Sequence, residues 1–337
     1  MVSLEQLREK VEAMVDLTCG KTLKETKGLK YVGIDDEEER AILVIGLHDK
    51  EAPEAKKFRL ELTKLVKLEL GFKGLKLELE ELNPKEKGTV LDQERQVRYI
   101  GIASGKGGVG KSTVAANIAV LLAKLGKRVG LIDADIYGPS IPNVMGMPLQ
   151  LPKGDENERA IPFEKYGVQV ISTAFFLEDN QPLMWRGPML NRMIKHFFYD
   201  VAWDDDIEYI IIDLPPGTGD VALDIQSIIP QCEIIVVTTP HPTAADIAAK
   251  AGLGAKQLKH KLLGVIENMS YYINPVNGQP EYIFGQGGGH AVSGQLSVPL
   301  LGRIPIGQPK NSEDSIYGLD EPQGVEYIAI VKKILNL

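Results

Sequence analysis

The sequence predicts an α/β protein: a doubly wound, mostly parallel sheet preceded by a small α/β domain. Three observations carry this expectation. Between residues 98 and 306 lie six apolar runs without polar alternation, at 98–104 (RYIGIAS), 128–133, 209–214, 232–239, 262–268 and 300–306. Such runs suit parallel strands covered on both faces. Helical stretches stand between them, as at 111–126 and 243–259, and strand–helix alternation implies a parallel sheet wound in both directions. The first 83 residues differ in texture, and a polar segment, 84–97 (PKEKGTVLDQERQV), separates them from the rest. It opens with proline and contains glycine, as linkers do. The expected division is therefore a small domain at 1–83, a linker at 84–97 and a large domain at 98–337.

Within the small domain, Leu4, Leu7, Val11 and Met14 share one face of an amphipathic helix. Residues 40–47 (RAILVIGL) read as a strand, 54–70 as a helix, and 75–82 (LKLELEEL) as a half-buried strand. The large domain ends in a helix at 324–337. No internal repeat or low-complexity tract interrupts the chain.

Composition excludes several classes. The 337 residues are 44% hydrophobic and 25% charged, an ordinary balance for a protein with a packed core. A net charge of −8 argues against a generally basic nucleic-acid binder, although a local basic patch is compatible with it. No apolar run approaches the roughly 20 residues of a membrane span. The N-terminus does not read as a signal peptide. The two cysteines, Cys19 and Cys232, make no disulfide scaffold, and the expected compartment is the cytoplasm. Two thiols cannot form a four-thiolate metal site within one chain.

The strongest chemical signal is Gly105–Ser112 (GKGGVGKS), which fits G-x-x-x-x-G-K-[ST] between a strand and a helix. Each residue type has a reason. Gly105, Gly107, Gly108 and Gly110 let the backbone turn tightly, so that amides point at phosphate oxygens. The helix N-terminus adds positive potential. Lys111 is placed to reach the β- and γ-phosphates, and the Ser112 hydroxyl to ligate Mg2+. A second signal is 209–220 (YIIIDLPPGTGD), an apolar strand ending in Asp213, as in a Walker B strand. Asp213 is expected to hold Mg2+ through water, and Gly217 to sit near the γ-phosphate as a switch. Asp133 and Asp135 end a third strand, in GLIDADIYGPS. Ligands of open α/β sheets bind at such strand ends. A lone aspartate there is as often a helix cap or turn residue. Three of them beside a phosphate loop point to a nucleotide and its metal.

Lys106, just after the first glycine, is not required by the general motif. The KGGVGK form resembles the deviant phosphate loop of the MinD, Mrp and nitrogenase-iron-protein class. Taken with LIDADIYGPSIPNVMG, WRGPM (185–189), IIDLPPGTGD and ENMSYY, it resembles the Mrp/ApbC/NBP35 family of ATPases over residues 98 to about 310. The N-terminal unit is similar, less specifically, to the MIP18-like domain of bacterial Mrp proteins. The resemblance implies a cytoplasmic homodimer with ATP and Mg2+ at its interface, and with iron–sulfur client or scaffold proteins as partners. It places the nucleotide on Gly105 to Thr113, including Val109, and on Gly217 and Asn268. In the family that asparagine reads the adenine edge, a task suited to an amide that both donates and accepts; an Asx turn is the plainer alternative. It gives Lys106 an in-trans catalytic role beside Lys111, Asp135 the orientation of the attacking water, and Asp133 a place in the Mg2+ environment with Ser112 and Asp213.

The departures are equally informative. After ENMSY the family carries Cys-Pro-x-Cys-Gly, whose thiolates bridge one cluster between subunits. Here the same register reads NPVNG, so Asn274 and Asn277 stand in the cysteines' places. Asparagine is a hard, neutral, weak ligand, whereas clusters are held by thiolate. A conventional iron–sulfur cluster is therefore not expected at this turn. MIP18-type domains often show Gly-Cys-Pro where this chain has KEAP (50–53). Cys232 opens an apolar strand and reads as a core thiol; Cys19 lies in a polar turn. GQGGGH (285–290) reads as a linker loop. His290 has no second metal ligand at a helpful spacing. Trp185 and Arg186 suit a partner surface and an ordinary packed aromatic equally.

Three functions follow: an ATPase that carries or assembles iron–sulfur clusters; an ATP-dependent regulator binding DNA or protein, as in cysteine-lacking, SalA-like members; and a MinD-like membrane role. The last rests on an amphipathic C-terminal helix bearing Lys332 and Lys333. Packing on the sheet explains that helix better.

Overall fold

The computed structural model describes the chain apart from residues 1–2, 36–38, 49, 51, 83–89, 92–94, 137, 158, 177–186, 218–224, 226 and 312. Of residues 81 and 187–192 it describes the backbone only. The chain divides into two units, Met1–Lys87 and Gly88–Leu337.

The first unit begins with helix α1 (Leu4–Glu12), capped by Ser3 and Gln6 in a reciprocal capping box. Short strands β1 (Val15–Asp16) and β2 (Lys21–Thr22) and a single turn, α2 (Leu23–Thr26), lead into β3 (Leu29–Asp35) and β4 (Arg40–Leu47). Helix α3 (Pro53–Lys64) then crosses to β5 (Gly74–Glu81). The sheet order is β3-β4-β5, with β3 antiparallel and β5 parallel to β4. Leu7, Val11, Leu43, Ile45, Phe58 and Leu62 are buried together in its core. Two expectations need correction. Leu4 shares the face of Leu7 and Val11 but is 46% exposed in the first turn, and Met14 lies beyond the helix, which ends at Glu12. The helix expected at 54–70 stops at Lys64 and continues as a wider π-type turn, Leu65–Glu69.

The second unit follows the expected doubly wound plan. In chain order it contains β6 (Arg98–Ser104), α4 (Lys111–Lys124), β7 (Val129–Asp133), α5 (Ile141–Val144), β8 (Phe163–Lys165), β9 (Val168–Ser172), α6 (Gly187–Tyr199) and β10 (Tyr209–Asp213). It continues with β11 (Glu233–Thr238), α7 (Pro242–Gln257), β12 (Lys261–Glu267), β13 (Tyr272–Ile273), β14 (Pro280–Glu281), α8 (Gly288–Leu296), β15 (Leu300–Arg303) and α9 (Pro322–Leu335). Eight strands form one sheet, ordered β15-β12-β11-β6-β10-β7-β9-β8. All neighbours are parallel except the β8–β9 edge pair. Strands β6, β10, β7 and β11 are buried almost throughout, which explains their lack of polar alternation. The chain fills one side of β6 first and crosses to the other side only at β11. The reversal at β6 opens a crevice at the strands' C-terminal ends, where such sheets bind ligands.

The differences from expectation are local. Strands β3, β8 and β9 and helix α8 carry little periodic signal; helix α6 is a further addition to the expected elements, although its sequence is clearly amphipathic. Part of the stretch read as linker is packed: Val90 is 1% exposed, and its carbonyl accepts a hydrogen bond from the Tyr99 hydroxyl. The loop expected at 285–290 is half helix, because α8 starts at Gly288 behind the N-cap Gly287. The apolar face of α9, with Tyr327, Ile330, Val331 and Ile334, is buried against the core. Among the described residues no helix is long and apolar enough to cross a membrane.

Candidate functional site

The site grows from the β6–α4 junction. Gly108 and Gly110 adopt φ of +79° and +80°, left-handed values that end the loop and start α4 at Lys111. At Gly105 a Cβ would lie 2.4 Å from the backbone of Ile247, so the close passage of α7 requires glycine there. Lys111 begins α4 directly behind the loop, so the amides of the first helical turn, which lack intrahelical partners, are left as donors where the loop ends. Lys106, Gly107 and Gly108 are exposed, while Val109 is buried. Thr113 lies in the first turn of α4, and its carbonyl accepts from Asn117 Nδ2 at 2.8 Å.

Lys111 is 6% exposed and reaches across the sheet's end. Its Nζ lies 2.5 Å from Asp213 Oδ1 and 3.5 Å from Asp135 Oδ2. Ser112 Oγ donates to the other Asp213 oxygen. Two side chains of the phosphate loop thus converge on the carboxylate that ends β10, and Lys111 bridges it to Asp135. Burial pushes the Asp213 carboxyl up from its ordinary range, and the Lys111 ammonium and Ser112 hydroxyl pull against it. Burial likewise raises Asp135, opposed by Lys111.

Asp133 pairs in register with Asp213 on the adjacent strand. It is fully buried, and its Oδ2 accepts from Ser172 Oγ at 2.9 Å and from the Ser140 and Ile141 amides at 3.1 Å each. Burial, followed by the nearby Asp213 charge, pushes its carboxyl up to about 8. Its immediate work is to shape the loop that places Asp135. That use is the cap-or-turn alternative the sequence leaves open for a strand-end aspartate; the Ser172 donor, 39 residues away, is the part no motif marks. Gly217, at φ +91°, donates its amide to the Ser104 carbonyl at 2.8 Å and so closes the β10 loop over β6.

Asn268 follows β12 and is 7% exposed. Its Nδ2 donates to the Val109 carbonyl at 2.9 Å, and its backbone amide to Thr238 O at 2.8 Å. The side chain therefore braces the phosphate loop in this state.

The turn at 274–279 joins β13 to β14, and both asparagines are used within it. Asn274 Oδ1 accepts from the Val276 amide at 2.8 Å, and Asn277 Oδ1 from the Gln279 amide at 2.9 Å. These are Asx turns. Asn274 Nδ2 also donates to Glu281 Oε1 at 2.6 Å. Among the described residues no group of three or more His, Cys, Asp or Glu side chains is placed to hold a metal ion. Cys232 is buried, and burial pushes its thiol up to about 12, in keeping with a core thiol. Cys19 Sγ lies 3.5 Å from Asp16 Oδ2 in the first unit. His290 is exposed on α8. Trp185 and Arg186 lie outside the described residues.

Residues 96–334 match the ParA family described as NUBPL iron-transfer P-loop NTPase. The chain belongs to this family. Across 99% of its length it is 42% identical to the iron-sulfur cluster carrier protein of Bacillus subtilis, covering 98% of that protein. It is 36% identical over 253 residues to the carrier protein of Saccharolobus solfataricus, covering 72% of this chain and 85% of the relative. Among solved structures, the nucleotide-binding protein of Archaeoglobus fulgidus in complex with ADP aligns at 34% identity and a TM-score of 0.55, over 69% of this chain and 87% of that one. The MinD ATPase of Pyrococcus furiosus, at 21% identity and a TM-score of 0.51 over 71% of this chain and 98% of that one, shares the fold.

Proposed function

We propose that this protein is a homodimeric Mg2+-dependent ATPase that serves iron–sulfur cluster delivery without holding a conventional cluster at 274 and 277. The observation that carries the ATPase reading is Lys111, poised between Asp213 and Asp135 at the N-terminus of α4. An incoming triphosphate competes for that ammonium, which turns from the carboxylates to the β- and γ-phosphate oxygens. The loop amides and the α4 N-terminus receive the remaining charge. Ser112 and Asp213 offer hard oxygen donors that suit Mg2+, with Asp133 supporting them from behind. When bound, that cation neutralises charge building on the phosphates. Asp135, freed from Lys111, accepts a hydrogen bond from the water that attacks the γ-phosphorus. Lys106 is exposed and available to a partner subunit's nucleotide. Asn268 turns from Val109 to the adenine edge, and Gly217 closes on the γ-phosphate.

The cargo reading comes from the family and from the carrier relatives. The carrier's usual clamp is replaced by a turn whose asparagine side chains are engaged with its own backbone. That same turn favours a second reading, an ATP-dependent regulator that binds DNA or protein. Measuring ADP and ATP binding and phosphate release with and without Mg2+ tests the ATPase. Mg2+-dependent release supports it, and absence of nucleotide binding would overturn it. DNA binding at low salt, with and without ATP, tests the second reading; no binding in either state counts against a DNA-directed regulator.

A further inference from the structure

A buried charged cluster lies immediately beyond the nucleotide site. Glu267, the last residue of β12, is 1% exposed. Its carboxylate accepts from the Gly289 amide at 2.6 Å, from Ser270 Oγ at 2.5 Å and from Arg303 Nε at 3.2 Å. The Arg303 guanidinium faces the rings of Tyr271 and Tyr282, at 5.6 and 5.7 Å. One carboxylate and one guanidinium thereby tie together the ends of β12 and β15, the first turn of α8 and both arms of the β13–β14 hairpin. The backbone repeats the tie. The Ile304 amide donates to Glu267 O at 2.8 Å, the Ser270 amide to Ile304 O at 2.8 Å, and the Ile306 amide to Tyr271 O at 2.7 Å.

The next residue along is Asn268, bonded to the Val109 carbonyl of the phosphate loop. There is no slack at this contact: a Cβ at Gly110 would lie 2.2 Å from Asn268 Nδ2. On the loop's outer side, Lys106, Gly107, Gly108 and Val109 line one cavity of about 300 Å3 with Met269 and with Phe284, which lies just past β14 at the end of the segment 271–284 that carries the hairpin.

We propose that Glu267 and Arg303 are positioning residues that couple the phosphate loop to the 271–284 hairpin, so that nucleotide binding sets the order of that hairpin. A shift of Val109 and Gly110 onto phosphate must displace Asn268. Asn268 directly follows Glu267, so a displacement of its main chain pulls on a buried carboxylate for which each lost partner is costly. Tightly packed groups of this kind exchange between discrete arrangements. The hairpin carries Asn274 and Asn277, so the coupling makes the segment in the family's cluster position answer to nucleotide. The inference rests on reading the loop as a nucleotide site.

Hydrogen exchange of the full chain, with and without ADP and Mg2+, tests it. The expected result is slower exchange at 105–113 and, by about tenfold, at 271–284. Arg303→Gln should keep ADP affinity within about twofold and keep the loop's protection, while removing that of the hairpin. Tyr282→Ala, which removes both the ring and the hydroxyl beside Arg303, should do the same from the hairpin side without touching the buried carboxylate. A protected loop with an unchanged hairpin in the unaltered protein would overturn the coupling and leave the nucleotide site standing. Protection of neither would overturn both. Hairpin protection surviving in both Arg303→Gln and Tyr282→Ala would remove Glu267 and Arg303 from the role.

Discussion

Lys111 decides the charge balance at the residue scale. It is the counter-charge to the fully buried Asp213 and touches Asp135 as well. Replacing Lys111 by alanine should therefore do two things. Phosphate release should fall to background, and the nucleotide-free protein should lose up to about 3–5 kcal/mol, since removing one partner leaves a buried carboxylate uncompensated. Proton uptake by Asp213 reduces that loss, so the deficit should shrink as pH falls. Thermal unfolding across pH, beside a phosphate-release assay, checks both; full activity in Lys111→Ala would end the ATPase reading. Asp16, in the first unit, gives a test of opposite chemistry. Its burial alone would raise the carboxyl, but Thr18, the His48 amide and Cys19 donate to it and hold it below its ordinary range. A depressed folded value stabilises above the unfolded pKa, near 3.9, and that stability is lost as pH falls through the folded value. Asp16→Asn should cost about 1.5–3 kcal/mol at neutral pH, with the difference vanishing as acid titrates the carboxylate. A deficit independent of pH would show that shape, not charge, matters there.

At the scale of elements, the β13–β14 hairpin offers a gain-of-function test. Its turn is held by backbone bonds as well as by the two amide side chains: Gly278 N to Asn274 O at 2.8 Å, and Asn274 N to Gln279 O at 3.0 Å. Replacing both Asn274 and Asn277 by cysteine removes three side-chain bonds, two of Asn274 and one of Asn277, at about 1 kcal/mol each, yet leaves that frame. After anaerobic reconstitution and desalting, the double variant should retain iron and sulfide with thiolate-to-iron absorption, and the unaltered protein should not. A stable cluster on the unaltered protein would defeat the account of the asparagines. What the sequence revealed here, and what it hid, follows from how each element earns its pattern. Strands β6, β10 and β11 were legible because both faces are buried, and α4 because the phosphate loop marks its start. The β8–β9 pair was not, since its strands run only three and five residues and mix polar with apolar side chains, although β9 is largely buried. Helix α8 was hidden by its own glycines. They look like a flexible loop, but a Cβ at Gly289 would lie 2.7 Å from Glu267 Cβ, so close packing selects them. Asp213 was readable from its strand. The Glu267–Arg303 tie was not, because 36 residues separate partners that only the sheet brings together.

For the whole molecule, the parallel sheet sends β6, β7, β10 and β12 to the same edge, so Lys111, Asp133, Asp135, Asp213 and Asn268 meet there without any long-range instruction in the sequence. The Lys106 side chain takes no part in this convergence and is exposed beside a cavity shared with Phe284. Under the proposed function its ammonium enters a second protomer's site. Turnover per protomer should accordingly rise with protein concentration until dimers saturate. Lys106→Ala should still bind ATP while its turnover falls by about 10³-fold or more, as when an in-trans cation is lost in other phosphate-loop enzymes. Mixing supplies the decisive measurement. In a dimer of Lys106→Ala with Lys111→Ala, the Lys106→Ala protomer keeps its own Lys111 and receives an intact Lys106 from its partner. Free exchange makes half the dimers mixed, each with one complete site, so an equal mixture should recover roughly a quarter of full turnover in a symmetric dimer. A mixture no more active than its two components, under conditions where labelled subunits are seen to exchange, would place Lys106 outside the partner's reaction.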